Sequence, residues 1–215
     1  MKSETGADSA QTTTSAADEA QPKRAYRKSR RARAEAATGT AILDAALAAF
    51  TREPFDRVTL QAVADAAGVT VQTVIRRFGS KEGLFQALAE RETPRILAAR
   101  AVAEGADLSI ALDALLAHYE ADGDLVLNLL AQETRVEPAA EAVATGRHVH
   151  RDWVERHCAD LLAGSSGAAR QRMLHAAIVA TDLGTWKLLR RDLGLPLAEV
   201  KAVMMTLLAT LQGDT

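Results

Sequence analysis

The chain has 215 residues and a formal net charge of −2, and its hydrophobic content of 48% is dominated by Ala and Leu, with only 4% aromatic residues. This length can build one large or two small domains, and Ala and Leu favour helices over sheets. The single cysteine, Cys158, excludes an intramolecular disulfide, and the sequence shows neither a long apolar run nor a signal-peptide pattern. We therefore expect a cytoplasmic protein that does not associate with a membrane.

Residues 1–37 are predicted to form a disordered basic N-terminal arm. They contain almost no bulky apolar residue that could offset the entropy lost on ordering. Their net charge is +3, whereas residues 38–80 are neutral and residues 81–215 carry −5. Between Lys23 and Arg33 seven of eleven residues are basic, which fits either a solvated tail or an arm that contacts DNA phosphates or the minor groove. The candidate contacts in this arm are Arg27, Lys28, Arg30 and Arg31.

A first helix is predicted to begin near Thr38 or Thr40 and to end before Pro54. Apolar residues recur at helical spacing between these limits, at Ile42, Leu43, Ala46, Leu47, Ala49 and Phe50.

Two short helices separated by a glycine are predicted between Thr59 and Lys81. The hydroxyl of Thr59 can cap the first helix, and Thr70 can cap the second. Gly68 lies between them and can adopt the positive φ that a tight turn requires. This arrangement is typical of a helix-turn-helix, whose second helix enters the major groove of DNA by its N-terminal residues.

Ser80 can cap a fourth helix, which is predicted to run to about Thr93, before Pro94. Further helical stretches are expected near residues 94–103, 109–120, 122–134, 138–162, 167–191 and 197–212. No repeat of 20–50 residues occurs, which excludes a solenoid.

The stretch from Ile42 to Leu88 resembles the TetR family of bacterial transcription regulators. Four features match in order: the ILDAA opening, the V-T start of the second helix, the A-G-V turn and the R-x-F-G-S-K segment before the fourth helix. The resemblance implies an all-α protein with an N-terminal three-helix DNA-binding domain that contains the helix-turn-helix, at residues 38–84. The C-terminal domain, residues 85–215, would be helical and would bind an effector and dimerise.

By position, the resemblance implies base contacts from Val71, Gln72 and Thr73. Gln72 could bond adenine in a bidentate manner, and a methyl group of Val71 or Thr73 could pack on thymine. Ile75 stands where the family often has a tyrosine, and it cannot donate to a phosphate. Arg76 either replaces that contact or binds a guanine. The other implied DNA-binding residues are Thr59, Thr70, Arg77 and Lys81.

The resemblance also implies a homodimer that binds a palindromic operator on double-stranded DNA. The stretches 167–191 and 197–212 would pair with their copies as a four-helix bundle, although their apolar faces could instead close an intramolecular core. An unidentified small molecule would bind the C-terminal domain. The candidate pocket residues, each of which is more often a core residue in such a helix, are His118, Tyr119, Trp153, Met173 and Trp186.

A repressor released by an effector is the leading hypothesis, and an activator or an effector-independent architectural DNA-binding protein is the alternative. A helical enzyme is disfavoured because no nucleophile–base pair, phosphate-binding glycine loop or carboxylate pair stands out. We expect no cofactor and no metal, since His148, His150, His157 and Cys158 lack the spacing of a zinc site. The operator, the regulated genes, the effector and the sign of regulation are not determined by the sequence.

Overall fold

The computed structural model describes residues 16–102 and 106–211, with side chains from residue 29 onward. Within this part of the chain there is no strand, and no helix is long and apolar enough to cross a membrane. A 3-10 turn lies at Phe55–Arg57, and a π-helical turn at Leu188–Asp192. The α-helices are α1 (Ala16–Arg52), α2 (Leu60–Ala66), α3 (Val71–Phe78), α4 (Lys81–Arg100), α5 (Leu108–Leu130), α6 (Glu137–His157), α7 (Ala159–Leu162), α8 (Gly167–Thr181), α9 (Leu183–Lys187) and α10 (Leu197–Thr210).

Helix α1 begins at Ala16, well before the start near Thr38 that the sequence predicts. Residues 16–37, expected to be disordered, form its first part because Ala, Arg, Lys and Glu are strong helix formers even without an apolar face. Arg31 Nε donates to Glu35 Oε1 at 3.0 Å, one helical turn away. Residues 1–15 lie outside the described part of the chain. The chain divides into two compact units within α1, residues 1–41 and 42–215.

Helix α4 continues through Pro94, although the sequence predicts its end near Thr93. Proline removes one intrahelical hydrogen bond, which the burial of Leu84, Phe85 and Leu88 on the same helix offsets. Because α4 is continuous, its first residue and Arg100 belong to one rod of 20 residues, about 30 Å long.

Helix α5 is also a single helix where the sequence predicts two, near 109–120 and 122–134. Gly123 lies in its middle, and a Cβ atom there would lie 2.8 Å from the ring of Trp186. The glycine therefore permits α9 to pack closely against α5 without ending the helix.

Two hydrophobic clusters form the core of residues 42–215. The first joins the end of α1, α2, α3 and the start of α4 to Leu125 of α5 and Ala139 of α6. Its rings of Phe50, Phe55 and Phe85 have centroids 5.2–5.7 Å apart. The second lies among α5 to α10 around Trp186, which is fully buried. Leu84 and Phe85 both belong to the first cluster, so the expected domain boundary between them falls within one core, and that division stays a prediction.

The predicted helix 167–191 consists of α8, α9 and the π-helical turn. Asp182 breaks it with extended backbone (ψ 153°), and its Oδ1 accepts from the N–H of Gly184 at 2.7 Å. Some apolar residues of this region are buried in the second cluster, and others face solvent. The exposed ones are Val179, Leu188, Leu193 and Leu207.

Candidate nucleic-acid interface and effector cavity

The caps and the turn of the helix-turn-helix are confirmed. Thr59 Oγ1 accepts from the N–H of Ala62 at 3.1 Å, and Thr70 Oγ1 accepts from the N–H of Thr73 at 3.3 Å. Gly68 has a φ of +67°, which an L side chain rarely adopts. These local bonds fix the direction in which α3 leaves the turn.

Helix α3 has one buried and one exposed face. Val74 is fully buried in the first cluster and anchors the helix. Gln72 and Arg76 are exposed and lie four residues apart, on one side of the helix. Val71 and Thr73 are half-buried, and the Thr73 hydroxyl lies 3.0 Å from that of Thr70. The surface that α3 offers therefore combines an amide, a guanidinium and small methyl groups, which can hydrogen-bond base edges and contact thymine methyls.

The predicted phosphate-binding residues differ in their surroundings. Thr59 is exposed at the start of α2, and the guanidinium of Arg77 lies 5.9 Å from the Phe78 ring centroid. Lys81 Nζ donates to the carbonyl of Phe55 at 2.8 Å and lies 4.5 Å from the Phe55 ring centroid. Lys81 therefore fastens the start of α4 to the 3-10 turn that precedes α2.

Only two of the four DNA contacts predicted in the N-terminal arm have side chains that the structure describes. Arg30 and Arg31 are exposed on α1, whereas the side chains of Arg27 and Lys28 lie outside the described part of the chain.

A cavity of about 780 Å³ lies among α4, α5, α6 and the junction of α8 and α9. Its walls are mainly apolar and include Phe85, Leu88, Ile96, Leu129, Val143 and Ile178. Its volume is in the range of pockets that hold drug-sized molecules.

Of the five pocket residues expected from the sequence, only Tyr119 lines this cavity. Trp186 and Trp153 are buried in the second cluster, and Met173 packs against it. His118 is buried beside Asp122, 2.9 Å away. The aromatic residues that suggested a pocket therefore serve mostly as core, and the cavity's polar residues are others.

Arg100 lies close to two other buried polar residues of the cavity lining, Tyr119 and His150. Arg100 is 8% exposed, and neither its Nε nor its Nη2 has a hydrogen-bond partner in residues 16–102 and 106–211. Burial lowers the pKa of this guanidinium. The Tyr119 hydroxyl donates to the carbonyl of Thr181 at 3.0 Å, and burial raises the pKa of this phenol.

His150 is a neutral imidazole with a defined tautomer. Burial and the neighbouring charge of Arg100 lower its pKa to about 4. The Thr181 hydroxyl donates to the carbonyl of Ala177 at 2.8 Å, so the contact of 3.2 Å between Thr181 Oγ1 and His150 Nε2 requires Nε2 to carry the hydrogen. His150 Nδ1 is then an acceptor, and it is buried without a partner within the described residues.

Sequence reasoning missed Arg100 and assigned His150 no ligand role. The burial of Arg100 depends on the continuation of α4 past Pro94, which local sequence does not indicate. The burial of His150 depends on α8, to which α6 packs.

Ion pairs connect α1 to α4 and α4 to α5 beside the cavity, and a hydrogen bond between His118 and Asp122 follows them on α5, with N–O distances of 2.5–2.9 Å throughout. In order, the partners are Asp44, Arg91, Glu92, Arg95, Asp122 and His118. Burial raises the pKa of the Asp122 carboxyl, but hydrogen bonds from His118 and Arg95 outweigh it, so the net shift is downward. Glu92 belongs to this chain of ion pairs and also lines the cavity.

The described residues contain no group of three His, Cys, Asp or Glu side chains that could hold a metal ion. Burial raises the pKa of the Cys158 thiol to about 11, which disfavours the thiolate that a metal would bind.

The helix-turn-helix, its exposed reading face and the helical remainder define an all-helical DNA-binding protein. Residues 42–88 match the family model of bacterial regulatory proteins of the tetR family. Residues 42–88 therefore have the DNA-binding sequence of the TetR family of bacterial transcription regulators, as the sequence resemblance predicted, and the chain has the fold of solved structures from that family.

Three solved structures illustrate this likeness of fold. Salmonella enterica GusR is 22% identical with a TM-score of 0.61, and the match covers 82% of this chain and 94% of that one. A tetR-family transcriptional regulator from Streptomyces coelicolor is 17% identical (TM-score 0.62, coverage 82% and 89%). A transcriptional regulator from Rhodococcus sp. Rha1 is 16% identical (TM-score 0.61, coverage 83% and 96%). No curated protein sequence matches the chain.

Proposed function

We propose that the protein is a repressor that binds a palindromic operator as a homodimer and releases it when a small molecule occupies the cavity. The observation that carries this proposal is the course of α4. The helix starts at Lys81, which is bonded to the turn before α2, and its last residue, Arg100, lines the cavity. A ligand that binds two positions of α4 with different affinity would shift the position of the reading helix.

The proposed base contacts come from Val71, Gln72 and Thr73, and Arg76 adds a charged contact on the same side of α3. The exposure of Gln72 and Arg76 and the anchoring of α3 by buried Val74 support this assignment. Thr59, Thr70, Arg77 and Lys81 would hold the phosphate backbone, and Arg30 and Arg31 of the basic arm are proposed to make separate contacts with DNA phosphates or the minor groove.

The proposed dimer forms through α8, α9 and α10. Val179 is 66% exposed and Leu207 is 42% exposed, although both are apolar residues on helices that otherwise pack into the core. Leu188 and Leu193 add exposed apolar surface near the π-helical turn. Exposed apolar residues on these helices favour an interface at this place.

The test is a selection of genomic DNA fragments with the purified full chain at near-physiological salt, with a parallel selection without protein. A recovered palindrome supports a dimer that recognises a sequence. Recovery of unrelated fragments would contradict the proposal of a palindromic operator. It would favour the alternative of an architectural DNA-binding protein, in which the basic arm dominates binding. Reporter transcription from a promoter that contains the palindrome then distinguishes a repressor from an activator.

A further inference from the structure

The cavity holds a buried positive charge, that of Arg100, which forms no ion pair with any of the residues that the structure describes. Three arginines line it. Arg147 is paired with Glu133 at 2.7 Å, and Arg151 is paired with Glu155 at 3.1 Å. Arg100 is the most buried of the three, and its Nε and Nη2 have no partner in the described part of the chain.

An unpaired guanidinium in this position destabilises the empty protein. Arginine does not lose its proton in proteins, so it cannot escape the cost of desolvation by becoming neutral. A buried charge is stabilised only by an opposite charge and by hydrogen bonds to its N–H groups. A ligand that places an anion at Arg100 would therefore remove this destabilisation when it binds.

The neighbouring groups favour a ligand with a single negative charge. Arg156, the other cation that acts on Arg100, does not line the cavity, whereas the carboxylates of Glu92 and Asp182 do. His150 is neutral and offers an acceptor at Nδ1, so it adds no cation to that of Arg100. Tyr119 is a neutral phenol whose hydroxyl is already bonded to Thr181. A monoanion matches this end of the cavity, whereas a phosphate dianion would leave one charge uncompensated.

The rest of the cavity is mainly apolar, although Glu82, Glu92, Glu141 and Asp182 also line it. Leu88 and Ile96 of α4 face the same space as Leu129 of α5 and Val143 of α6. We infer that the cavity binds an amphipathic monocarboxylic acid, whose carboxylate pairs with Arg100 and whose apolar body fills the space among α4, α5 and α6. This inference rests on the proposed effector-binding function and names the chemical class of the effector.

The test compares acids with alcohols of the same skeleton by isothermal titration calorimetry on the full chain. The probes are octanoate, decanoate, phenylacetate and naphthylacetate, each paired with octanol, decanol, phenylethanol or naphthylethanol. We expect at least one acid to bind about tenfold or more tightly than its alcohol, because only the acid can form the charged hydrogen bonds. If no acid exceeds its alcohol, the inference is overturned.

Arg100→Met removes the charge and keeps an unbranched apolar side chain. It should reduce the acid-to-alcohol affinity ratio to about one and leave alcohol binding unchanged. The melting temperature of the empty protein should rise, because an uncompensated buried charge is lost. A fall in the melting temperature with an unchanged affinity ratio would show that Arg100 is structural, and would overturn the inference.

Two further variants keep the test decisive if Arg100→Met does not fold. Arg100→Lys keeps the charge but not the planar fork, so it should retain a reduced preference for acids. Arg147→Met removes a cavity arginine that already has a carboxylate partner, and it should leave the ratio as in the wild type. If the preference for acids over alcohols is lost in Arg147→Met but retained in Arg100→Lys, the anion binds at Arg147 and not at Arg100. That result would contradict the inference.

A separate measurement distinguishes this inference from the proposed function. Fluorescence anisotropy of labelled operator DNA reports DNA binding with and without the acid. Intact operator binding without any acid preference would overturn the ligand class alone. Acid binding through Arg100 that leaves the affinity for the operator unchanged would support the ligand class and contradict the effector role.

Discussion

At the scale of single residues, Gln72 offers the most direct test of base recognition. It is exposed at the second position of α3. We expect Gln72→Ala to weaken binding to the cognate palindrome by about 1–3 kcal/mol and to relax the preference at one base step, because a bidentate contact to adenine is lost. Anisotropy titrations on the palindrome and on its single-base variants measure both effects.

The matched control is Gln171→Ala, which removes an exposed glutamine from α8, far along the chain from the reading helix. It should leave operator affinity unchanged. If Gln72→Ala weakens binding to every DNA sequence equally, Gln72 contacts the backbone and not a base.

His150 makes stability depend on pH in a defined direction. Its pKa is about 4 in the folded protein, near Arg100 and Asp182, against about 6.5 for an unperturbed histidine. Between these values the unfolded chain binds a proton that the folded chain does not bind, so stability is full above about pH 6.5 and falls as the pH falls. We expect the free energy of unfolding in urea to decrease by about 2 kcal/mol from this group between pH 7 and pH 5.

His150→Gln should remove that part of the pH dependence while its amide can still donate to Thr181. The control, His148→Gln, changes a histidine whose side chain is 75% exposed and should preserve the wild-type slope. A slope unaffected by His150→Gln would assign the pH dependence to other groups.

Whether the role of a residue could be predicted from the sequence depended on how far along the chain its interaction partners lie. The caps at Thr59, Thr70 and Ser80 are bonds to an N–H three residues away, so the local sequence contains both partners. Arg100 and His150 owe their properties to helices that are distant in sequence. No local pattern distinguishes a buried arginine from the many exposed ones.

At the scale of elements, α8 and α10 carry the prediction on assembly. Val179→Glu places a charge on the most exposed apolar residue of α8 and should convert the proposed dimer to a monomer. Because a monomer binds one half-site at a time, we expect operator affinity to fall by about tenfold or more. Sedimentation equilibrium measures the first effect, and anisotropy measures the second.

The control for assembly is Ile110→Glu on α5, where the wild-type residue is 55% exposed. It tests whether any new charge on an exposed apolar residue has the same consequence. A wild-type chain that sediments as a monomer would contradict the dimer directly.

The helices themselves show where sequence patterns mislead. The sequence predicts an interruption at Pro94 and another between the stretches near 109–120 and 122–134, yet α4 and α5 continue through both because packing stabilises the helices. Asp182 gave no such signal, although it ends α8. Proline and glycine raise the local free energy of a helix. Whether the helix continues through them depends on the tertiary contacts that stabilise it.

At the scale of the whole molecule, the uneven charge predicts how binding depends on salt. Deletion of residues 1–34 removes eight basic residues and leaves residues 42–215 complete, so the remaining chain should fold. We expect the plot of log affinity against log salt to become shallower by about 0.9 for each phosphate contact that is lost. Titrations of a fixed DNA duplex over a range of salt concentrations measure the slope.

A full-length variant with alanine at Arg27, Lys28, Arg30 and Arg31 separates charge from chain length. It should reproduce most of the loss of slope seen on deletion. An unchanged slope in both variants would mean that the arm does not touch DNA.

The family and the fold class could be predicted from the sequence, since the matched motif occupies one continuous stretch, residues 42–88. The cavity could not, because its lining comes from residues between Glu82 and Leu183 on several helices. Tyr119 alone was anticipated among them, as an aromatic residue on an apolar face.

Pro94 weakens the backbone hydrogen bonding of α4 at one position. Its ring nitrogen has no hydrogen, so the carbonyl of Glu90 lacks its intrahelical partner and the rod is softest at this point. The ion pair between Glu92 and Arg95 spans Pro94 and stabilises the helix there, whereas the pair between Arg91 and Glu92 lies before it. Since salt screens the partly exposed Arg95, we expect ionic strength to change the stiffness of α4 as well as the strength of the proposed phosphate contacts.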